Sequence, residues 1–529
     1  CFANPHAPAE EIFVNIQPLS GAAANLAVYD AFVEPGDVVM GMDLMHGGHL
    51  THGSRFNFSG KRYNVVSYTV DPKTERLDYD QIMELAKEHR PKLLIAGYTS
   101  YPWAPDWKRF REIADAVGAI LLADIAHTAG MVIGGVYPNP VGIADVVTFT
   151  THKTILGPRG ACILTTDEGK APQIDSAVFP GEQGGPHTNK FAAMAVAFGI
   201  AQTEAFREVQ QRIVDNAKYL AEALKNKGIR LAYGGTDTHI VMVDLKSLHP
   251  ELKGEPAARI LDLAGIVVNR NTIPGDTRTA LATGVRLGTP WVSQRGMGKA
   301  EMERIAGLIH RILSNIKPFS YRGLRGELPR GKIELDVLEE VKREVEGLAA
   351  ATTAETRSRG HGYPHYYFLQ EERRAPVLAG NPGETATTAT GAALLLDETD
   401  MTVLRVRGER ALPLLQEALT ADVAALHPGE CTRSLILERD GRVMDDLLVL
   451  RLEPDHIGCD RFVLLSNPEN APRVKAWLRG LSDGYIVFDD EDLLKKIEGP
   501  AVIEDMVTDV PDEERLVALG FHGEQAADI

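Results

Sequence analysis

The sequence predicts an α/β fold built on a mainly parallel sheet, followed by two smaller α+β parts. Three observations lead there. Runs that are mainly apolar, rather than alternating, recur at 38–40, 92–96, 119–123 and 146–149, as expected of strands buried on both faces. Helical patterns fall between such runs. One is Gly21 to Val33, with Ser20 as its N-cap and Glu34-Pro35-Gly36-Asp37 as its stop; another is capped by Asp106 and lines up Trp107, Phe110, Ile113, Ala114 and Val117 on one face. Finally, 529 residues at 44% hydrophobic and 24% charged exceed one ordinary domain and suffice for several cores.

The later elements follow in order. A long polar helix runs from about Thr203 to Lys227, then a strand at Ile240 to Val243 and further helices to about Leu348, which reads as a smaller α+β domain. Residues 349–393 turn rich in Ala, Thr, Gly, Pro and charge, the composition of a partly flexible connection. Beyond it, 401–406, 433–438, 446–451 and 461–466 read as strands of a further α+β domain. The expected division is therefore 1–203, 204–348, a linker at 349–393, and 394–529.

A formal charge of −17 repels phosphate backbones and anionic membranes, so small-molecule chemistry is favoured over nucleic-acid or membrane partners. The four cysteines, Cys1, Cys162, Cys431 and Cys459, form no CxxC pair and indicate neither a disulfide framework nor zinc, which suits a reducing cytoplasm. No run reaches the roughly 18 apolar residues of a membrane span. The chain starts at Cys1 rather than Met and so reads as a piece of a longer reading frame.

One lysine stands where covalent chemistry is built. Lys153, in Thr150-Thr151-His152-Lys153-Thr154 before Gly157-Pro158-Arg159-Gly160, follows the strand at 146–149 at the edge where α/β proteins place their sites. Such a lysine is a Schiff-base candidate. Pyridoxal phosphate needs, besides the lysine, an acid for its ring nitrogen, an anion cradle and a cation for the amino-acid carboxylate. Asp124, in Asp124-Ile125-Ala126-His127, ends the strand at 119–123 and supplies the acid, unless it is only a turn residue. Ser20-Gly21-Ala22 opens a helix suited to phosphate, and Gly184-Gly185 is a second backbone-donor loop whose alternative is a plain turn. Arg286 is a cation in an apolar strand-like run, so it needs an anion: a substrate carboxylate or an internal salt bridge.

His46, His49 and His52 share a glycine-rich loop in which no carboxylate or cysteine stands at ligand spacing, so no metal is expected. A histidine stacked on an aromatic cofactor is the better functional reading, and solvated loop histidines the plain one.

These segments resemble the serine hydroxymethyltransferase family. The resemblance rests on Asn15-Ile16-Gln17-Pro18, Gly41-Met42-Asp43-Leu44, His46-Gly47-Gly48-His49-Leu50-Thr51-His52-Gly53, Asp124 to His127, Thr151 to Thr154, Gly157 to Gly160, Gly184-Gly185-Pro186 and Gly284-Val285-Arg286-Leu287-Gly288-Thr289-Pro290, in the family's order. It covers about Asn15 to Leu348 and implies a fold-type I pyridoxal-phosphate transferase, a homodimer or tetramer with sites at the subunit interface, taking serine, glycine and tetrahydrofolate as substrates. It further implies catalytic roles for Lys153, which would carry the cofactor covalently, for Asp124 on the ring nitrogen, for His49 stacked on the ring, for His127 near the phenolic oxygen, and for Thr150. Thr99, where the family usually has serine, would reach that oxygen too. Ser20, Gly21 and His152, with Gly184 and Gly185 from the partner subunit, would cradle the phosphate. Arg286 would clamp the substrate carboxylate, with Arg159 nearby in the substrate set, and Leu44, Gly48 and Leu50 match folate-lining positions.

Departures accompany the match. The usual Ser-Gly-Ser turn reads Ser20-Gly21-Ala22, and Thr154-Ile155-Leu156-Gly157 lacks an arginine often found there. The family's N-terminal segment, with its proton-handling glutamate, would precede Cys1, so this chain is expected to bind the cofactor yet turn over poorly.

The C-terminal part is similar to the aminomethyltransferase (T-protein) of glycine cleavage. The likeness lies in Leu404 to Gly408, Thr420-Ala421-Asp422-Val423, His427-Pro428-Gly429-Glu430, Asp440 to Val449, Ser466-Asn467 and Gly499-Pro500. One of Asp445 and Asp446 matches its folate-proximal carboxylate, the alternative being a hairpin-exit turn; Arg433 stands where that family commonly has tyrosine. A folate-binding or structural appendage is as well supported as a second active site. The rival readings of the whole chain are another aldol-type or transaminating pyridoxal enzyme and a catalytically silent folate-binding scaffold.

Overall fold

The computed structural model describes residues 1–323, 326–352 and 394–522. They fall into two compact units, 1–314 with 341–355, and 315–340 with 356–529. The expected linker at 349–393 lies, from 353 onward, outside the described residues.

The first unit is organised by a seven-stranded sheet of β1 (Phe13–Asn15), β2 (Val38–Met42), β3 (Asn64–Tyr68), β4 (Leu93–Ala96), β5 (Ile120–Asp124), β6 (Val146–Thr150) and β7 (Ala161–Thr165), in the order β1-β7-β6-β5-β4-β2-β3. Strands β2 to β6 are mutually parallel, while β7 runs antiparallel to β6 and β1 antiparallel to β7. The four apolar runs read from the sequence are the central strands. Leu93 to Ala96 and Val146 to Thr150 are buried throughout, which is why no alternation marks them. The outer strands β1 and β3 were not anticipated: partly exposed, they lack the continuous apolar signature.

Helices cover both faces. Trp107–Val117 starts at Asp106, whose carboxylate accepts from Lys108 N and Arg109 N, and ends at Gly118 in the left-handed region. Its Trp107, Phe110, Ile113 and Ala114 are buried against β5 and its neighbours. Helix Gly21–Phe32 packs Ala24, Ala27, Val28 and Tyr29 on the other face with Val39, Leu93, Ile95 and Leu122. Ser20 sits at its N-cap, as expected, but its side chain makes no capping hydrogen bond. Helix Glu204–Asn226 leads to a small antiparallel sheet of β8 (Ile240–Asp244), β9 (Asn269–Asn271) and β10 (Gly284–Gly288), in the order β8-β10-β9, which pairs Arg286 with Met242.

The second unit holds a five-stranded antiparallel sheet. It comprises β14 (Thr402–Gly408), β15 (Cys431–Leu437), β16 (Val443–Leu452), β17 (Asp460–Ser466) and β18 (Val502–Asp505), in the order β15-β16-β17-β14-β18. A pair, β13 (Leu394–Asp397) with β19 (Leu519–His522), and a hairpin, β11 (Lys317–Gly323) with β12 (Gly326–Lys332), complete it. The hairpin differs from the expected division, which ran helices to about Leu348 within the smaller domain. Its end is tied to the C-terminal unit: Ile333 N donates to Tyr485 O (2.8 Å), Val487 N to Ile333 O (3.1 Å), and buried Lys332 Nζ to Lys495 O (2.6 Å). Arg473 bridges Asp336 (2.6 Å) and Glu438 (2.5 Å), joining the same segments through charge. Backbone pairing over such sequence distances leaves no local signal.

Among the described residues no helix is long and apolar enough to cross a membrane.

Candidate active site

The functional side chains gather at the carboxyl ends of the parallel strands. Asp124 is the last residue of β5, Thr150 the last of β6, and Lys153 follows three residues later. Gly97, just past β4, has φ +138°, and a Cβ there would stand 2.0 Å from Asp124 O, so the chain closes on the aspartate through a glycine.

Asp124 is held on three sides. Its Oδ2 accepts from Asn25 Nδ2 (2.8 Å) and faces His52 Nε2 (3.0 Å), and its Oδ1 accepts from Ala126 N (3.0 Å). Burial pushes this carboxyl up, but the His52 hydrogen bond, with His49 and Asn25 beside it, holds it well below the usual carboxylate range. Asn25 is fixed in turn: it donates to Thr51 Oγ1 (2.8 Å) and accepts from Thr148 Oγ1 (2.7 Å). Asn25, His52 and Thr148 were missed as site residues. The available signal was a lone asparagine on the apolar face of an alanine-rich helix.

The histidine loop follows β2. His49 Nδ1 accepts from Thr51 N (3.2 Å), and burial, with His52 next, lowers its pKa to about 4. Contrary to the reading of the loop alone, a carboxylate does join these histidines in space: ligand atoms of His49, His52 and Asp124 lie within 4.8 Å of one another. Both nitrogens of His52 are nevertheless committed, Nδ1 accepting from His49 N (3.3 Å) while Nε2 faces the aspartate, which is the pattern of a hydrogen-bonded anchor. Leu44 is half-buried, Leu50 exposed and Gly48 buried; a Cβ on Gly48 would sit 2.0 Å from Met42 O, which explains glycine there on packing grounds.

Lys153 is largely buried, and burial lowers its pKa against the opposing pull of Asp124, with Arg286 and Arg159 also lowering it. The amine therefore lies within electrostatic reach of both the acid and the arginine. Arg286 is also largely buried; it donates to Thr99 O (2.8 Å), and burial lowers its pKa. Among the described residues no carboxylate pairs with it, so the internal salt bridge is not formed. His127, on the turn after β5, lies near Lys153, His239, Arg286 and His49, and burial first, then Lys153 and the other neighbours, hold it far below its ordinary value.

Around this centre, Thr150 donates its hydroxyl to Ala126 O (3.1 Å), and its Cγ2 would stand 2.9 Å from a Cβ on Gly21, so the helix start abuts the end of β6. His152 is half-buried, its Nδ1 accepting from Gly160 N (3.4 Å), and Arg159 is exposed. Gly184 and Gly185 are exposed, their loop tied back by Gln17 Nε2 donating to Gly184 O (2.7 Å).

In the second unit the acidic pair divides. Asp445 is buried and both oxygens are engaged, Oδ2 by Ser466 Oγ (2.5 Å) and Asn467 N (3.0 Å), Oδ1 by Asn470 Nδ2 (2.9 Å). Asp446 faces out and meets exposed Arg433 at 3.6 Å. Alternation along β16 separates them.

A lysine and an aspartate at the carboxyl edge of a mainly parallel sheet, with a small antiparallel sheet supplying an arginine, define a fold-type I pyridoxal-phosphate-dependent transferase. The comparison with protein families agrees. Residues 4–309 match the family model described as Serine hydroxymethyltransferase, and residues 348–502 match that of the GCVT N-terminal domain. The chain belongs to the serine hydroxymethyltransferase family, fused to a T-protein-like domain.

The residues present fit the cofactor that this family uses. Asp124 is kept anionic, as a protonated ring nitrogen requires, the Lys153 amine is pushed toward its neutral, nucleophilic form, and the Ser20 hydroxyl at the helix start is not consumed by capping.

Proposed function

We propose that the first unit interconverts serine and tetrahydrofolate with glycine and 5,10-methylenetetrahydrofolate, using pyridoxal phosphate held covalently on Lys153. The observation that carries the reading is Arg286: a largely buried guanidinium within electrostatic reach of Lys153, with no carboxylate partner among the described residues, is a receptor for an amino-acid carboxylate. When bound, the cofactor supplies an electron sink for the bonds at the amino acid's α-carbon.

The chain's own residues position it. Asp124 would pair the ring nitrogen, His49 would lie on the ring face, and His127 and Thr99 would flank the phenolic oxygen. Ser20, Gly21 and His152 would take the phosphate at the helix start, joined by the Gly184-Gly185 loop of a second copy in a homodimer or tetramer. Leu44, Gly48 and Leu50 would border the folate, while Arg159 would add positive charge near the substrate. Thr150, its hydroxyl given to Ala126, would hold the turn that carries His127. Four free cysteines support a reducing, cytoplasmic setting.

For the second unit, the engagement of Asp445 supports a structural or folate-binding appendage over a second catalytic centre.

Serine cleavage by the purified chain, assayed with and without tetrahydrofolate, tests the reading. Folate-dependent release of glycine supports it. Folate-independent cleavage, or transamination instead, would assign the site to another pyridoxal chemistry.

A further inference from the structure

His239, immediately before β8, stands beside His127. Their ring centroids are 5.6 Å apart with 13° between the planes, and His127 Nδ1 lies 3.5 Å from His239 Nε2. That centroid separation is close to the N···N distance plus the two ring radii, so the nitrogens lie on the line joining the centroids. Each nitrogen lies in its own ring plane, so the line runs in both planes. The imidazoles meet edge to edge and share one hydrogen, rather than stacking face to face.

Two facts decide where that hydrogen sits. His239 is buried at 6% exposure, and its Nδ1 has no hydrogen-bond partner among the described residues. A buried nitrogen without a partner is tolerated better as a lone pair than as an orphaned N–H. The His239 proton therefore sits on Nε2 and points at His127 Nδ1, which accepts it. A neutral imidazole that accepts at Nδ1 carries its own proton on Nε2. Both rings are neutral: burial, then Arg286 and Lys153, lower His239 to about 3, and His127 is depressed by burial and by Lys153, His239, Arg286 and His49. The charged groups acting on the pair are thus Lys153 after β6 and Arg286 on β10, with neutral His49 after β2 beside His127, and the two cations oppose a further positive charge.

We propose that His239 is a positioning residue that fixes the tautomer of His127, so that His127 presents an Nε2–H donor to the active site. The inference rests on the reading that His127 lies at the cofactor's phenolic oxygen. There, a fixed donor would stabilise the oxygen's ionised form; the opposite tautomer would present a lone pair and repel it.

The test compares holoproteins carrying His239→Leu, His239→Gln and His127→Asn. Glutamine can place an amide N–H near the position of the imidazole Nε2; leucine cannot. His239→Leu is expected to shift the visible band of the bound cofactor and the pH at which it titrates. It should also lower kcat by about tenfold or more, the loss of one buried hydrogen bond, with the serine KM within about twofold. His239→Gln should restore most of both. If His239→Leu melts lower but leaves band, titration and kcat unchanged, the residue only packs and the proposal is overturned. Should the leucine variant not fold, His239→Asn, whose amide stops short of the Nε2 position, must show the same shifts, and unchanged behaviour there is equally contradictory. His127→Asn separates the two levels. If it moves the band while the His239 variants do not, the tautomer proposal alone falls. If it too leaves the band unmoved, the placement of His127 at the phenolic oxygen falls with it.

Discussion

His52 donates its Nε2–H to Asp124 at 3.0 Å because its other nitrogen is already spoken for, Nδ1 accepting the backbone N–H of His49 at 3.3 Å. The loop that carries the ring-stacking candidate thereby also orients the acid, and the two roles share one segment, His49 to His52. A donor fixed in this way keeps the carboxylate in place for the ring nitrogen.

Replacing His52 with leucine should therefore damage more than packing. Removing the donor leaves a buried carboxylate one partner short, at a cost of about 1–3 kcal/mol. The expected results are a lower melting temperature and a cofactor dissociation constant raised about tenfold or more, read by equilibrium dialysis. Unchanged cofactor affinity in a folded His52→Leu protein would refute the anchoring role.

Arg286→Lys should raise the serine KM by roughly ten- to a hundredfold, because a point charge replaces a planar two-pronged donor at a buried carboxylate site. Steady-state kinetics over serine concentration decide it. A KM like that of the parent chain would mean that the substrate carboxylate binds elsewhere.

Acid should weaken the first unit through its buried neutral histidines. His49 and His239 are depressed to about 4 and about 3, so in the folded state they bind fewer protons than the unfolded chain below its value near 6.5. Their contribution is complete above about pH 6.5 and is lost as pH falls toward 4. The slope approaches about 1.4 kcal/mol per pH unit for each such group. Chemical denaturation at pH 8, 7, 6 and 5 should show a plateau and then a decline; stability that stays level down to pH 5 contradicts the burial of these neutral rings.

The acidic pair of the second unit should separate cleanly. Asp445→Ala removes a buried carboxylate that accepts three hydrogen bonds, which should destabilise that unit by about 2–4 kcal/mol, whereas Asp446→Ala at the surface should stay within about 0.5 kcal/mol. Urea melts measure both. Equal effects would mean that Asp445 is not the structural member.

Much of this site was legible because its parts sit where strands end. Asp124, Thr150 and Lys153 follow apolar runs whose parallel arrangement the sequence betrays, and glycine-rich turns mark the close approaches beside them. What stayed hidden came from afar. Asn25 reaches Asp124 across 99 positions and His239 meets His127 across 112, distances over which no periodicity speaks. The carboxylate that joins the histidine loop was hidden for the same reason, being 72 residues away. The β11–β12 hairpin fell within a stretch read as helical, and the backbone pairing of Ile333, just past it, with 485–487 is of a kind that composition does not report.

The most direct measurement is the absorption spectrum of the purified chain reconstituted with pyridoxal phosphate, compared with that of Lys153→Ala. A visible band present in the parent and lost in the variant is the outcome predicted for a buried amine poised beside Asp124. The same band in both proteins, or in neither, would contradict the assignment of Lys153.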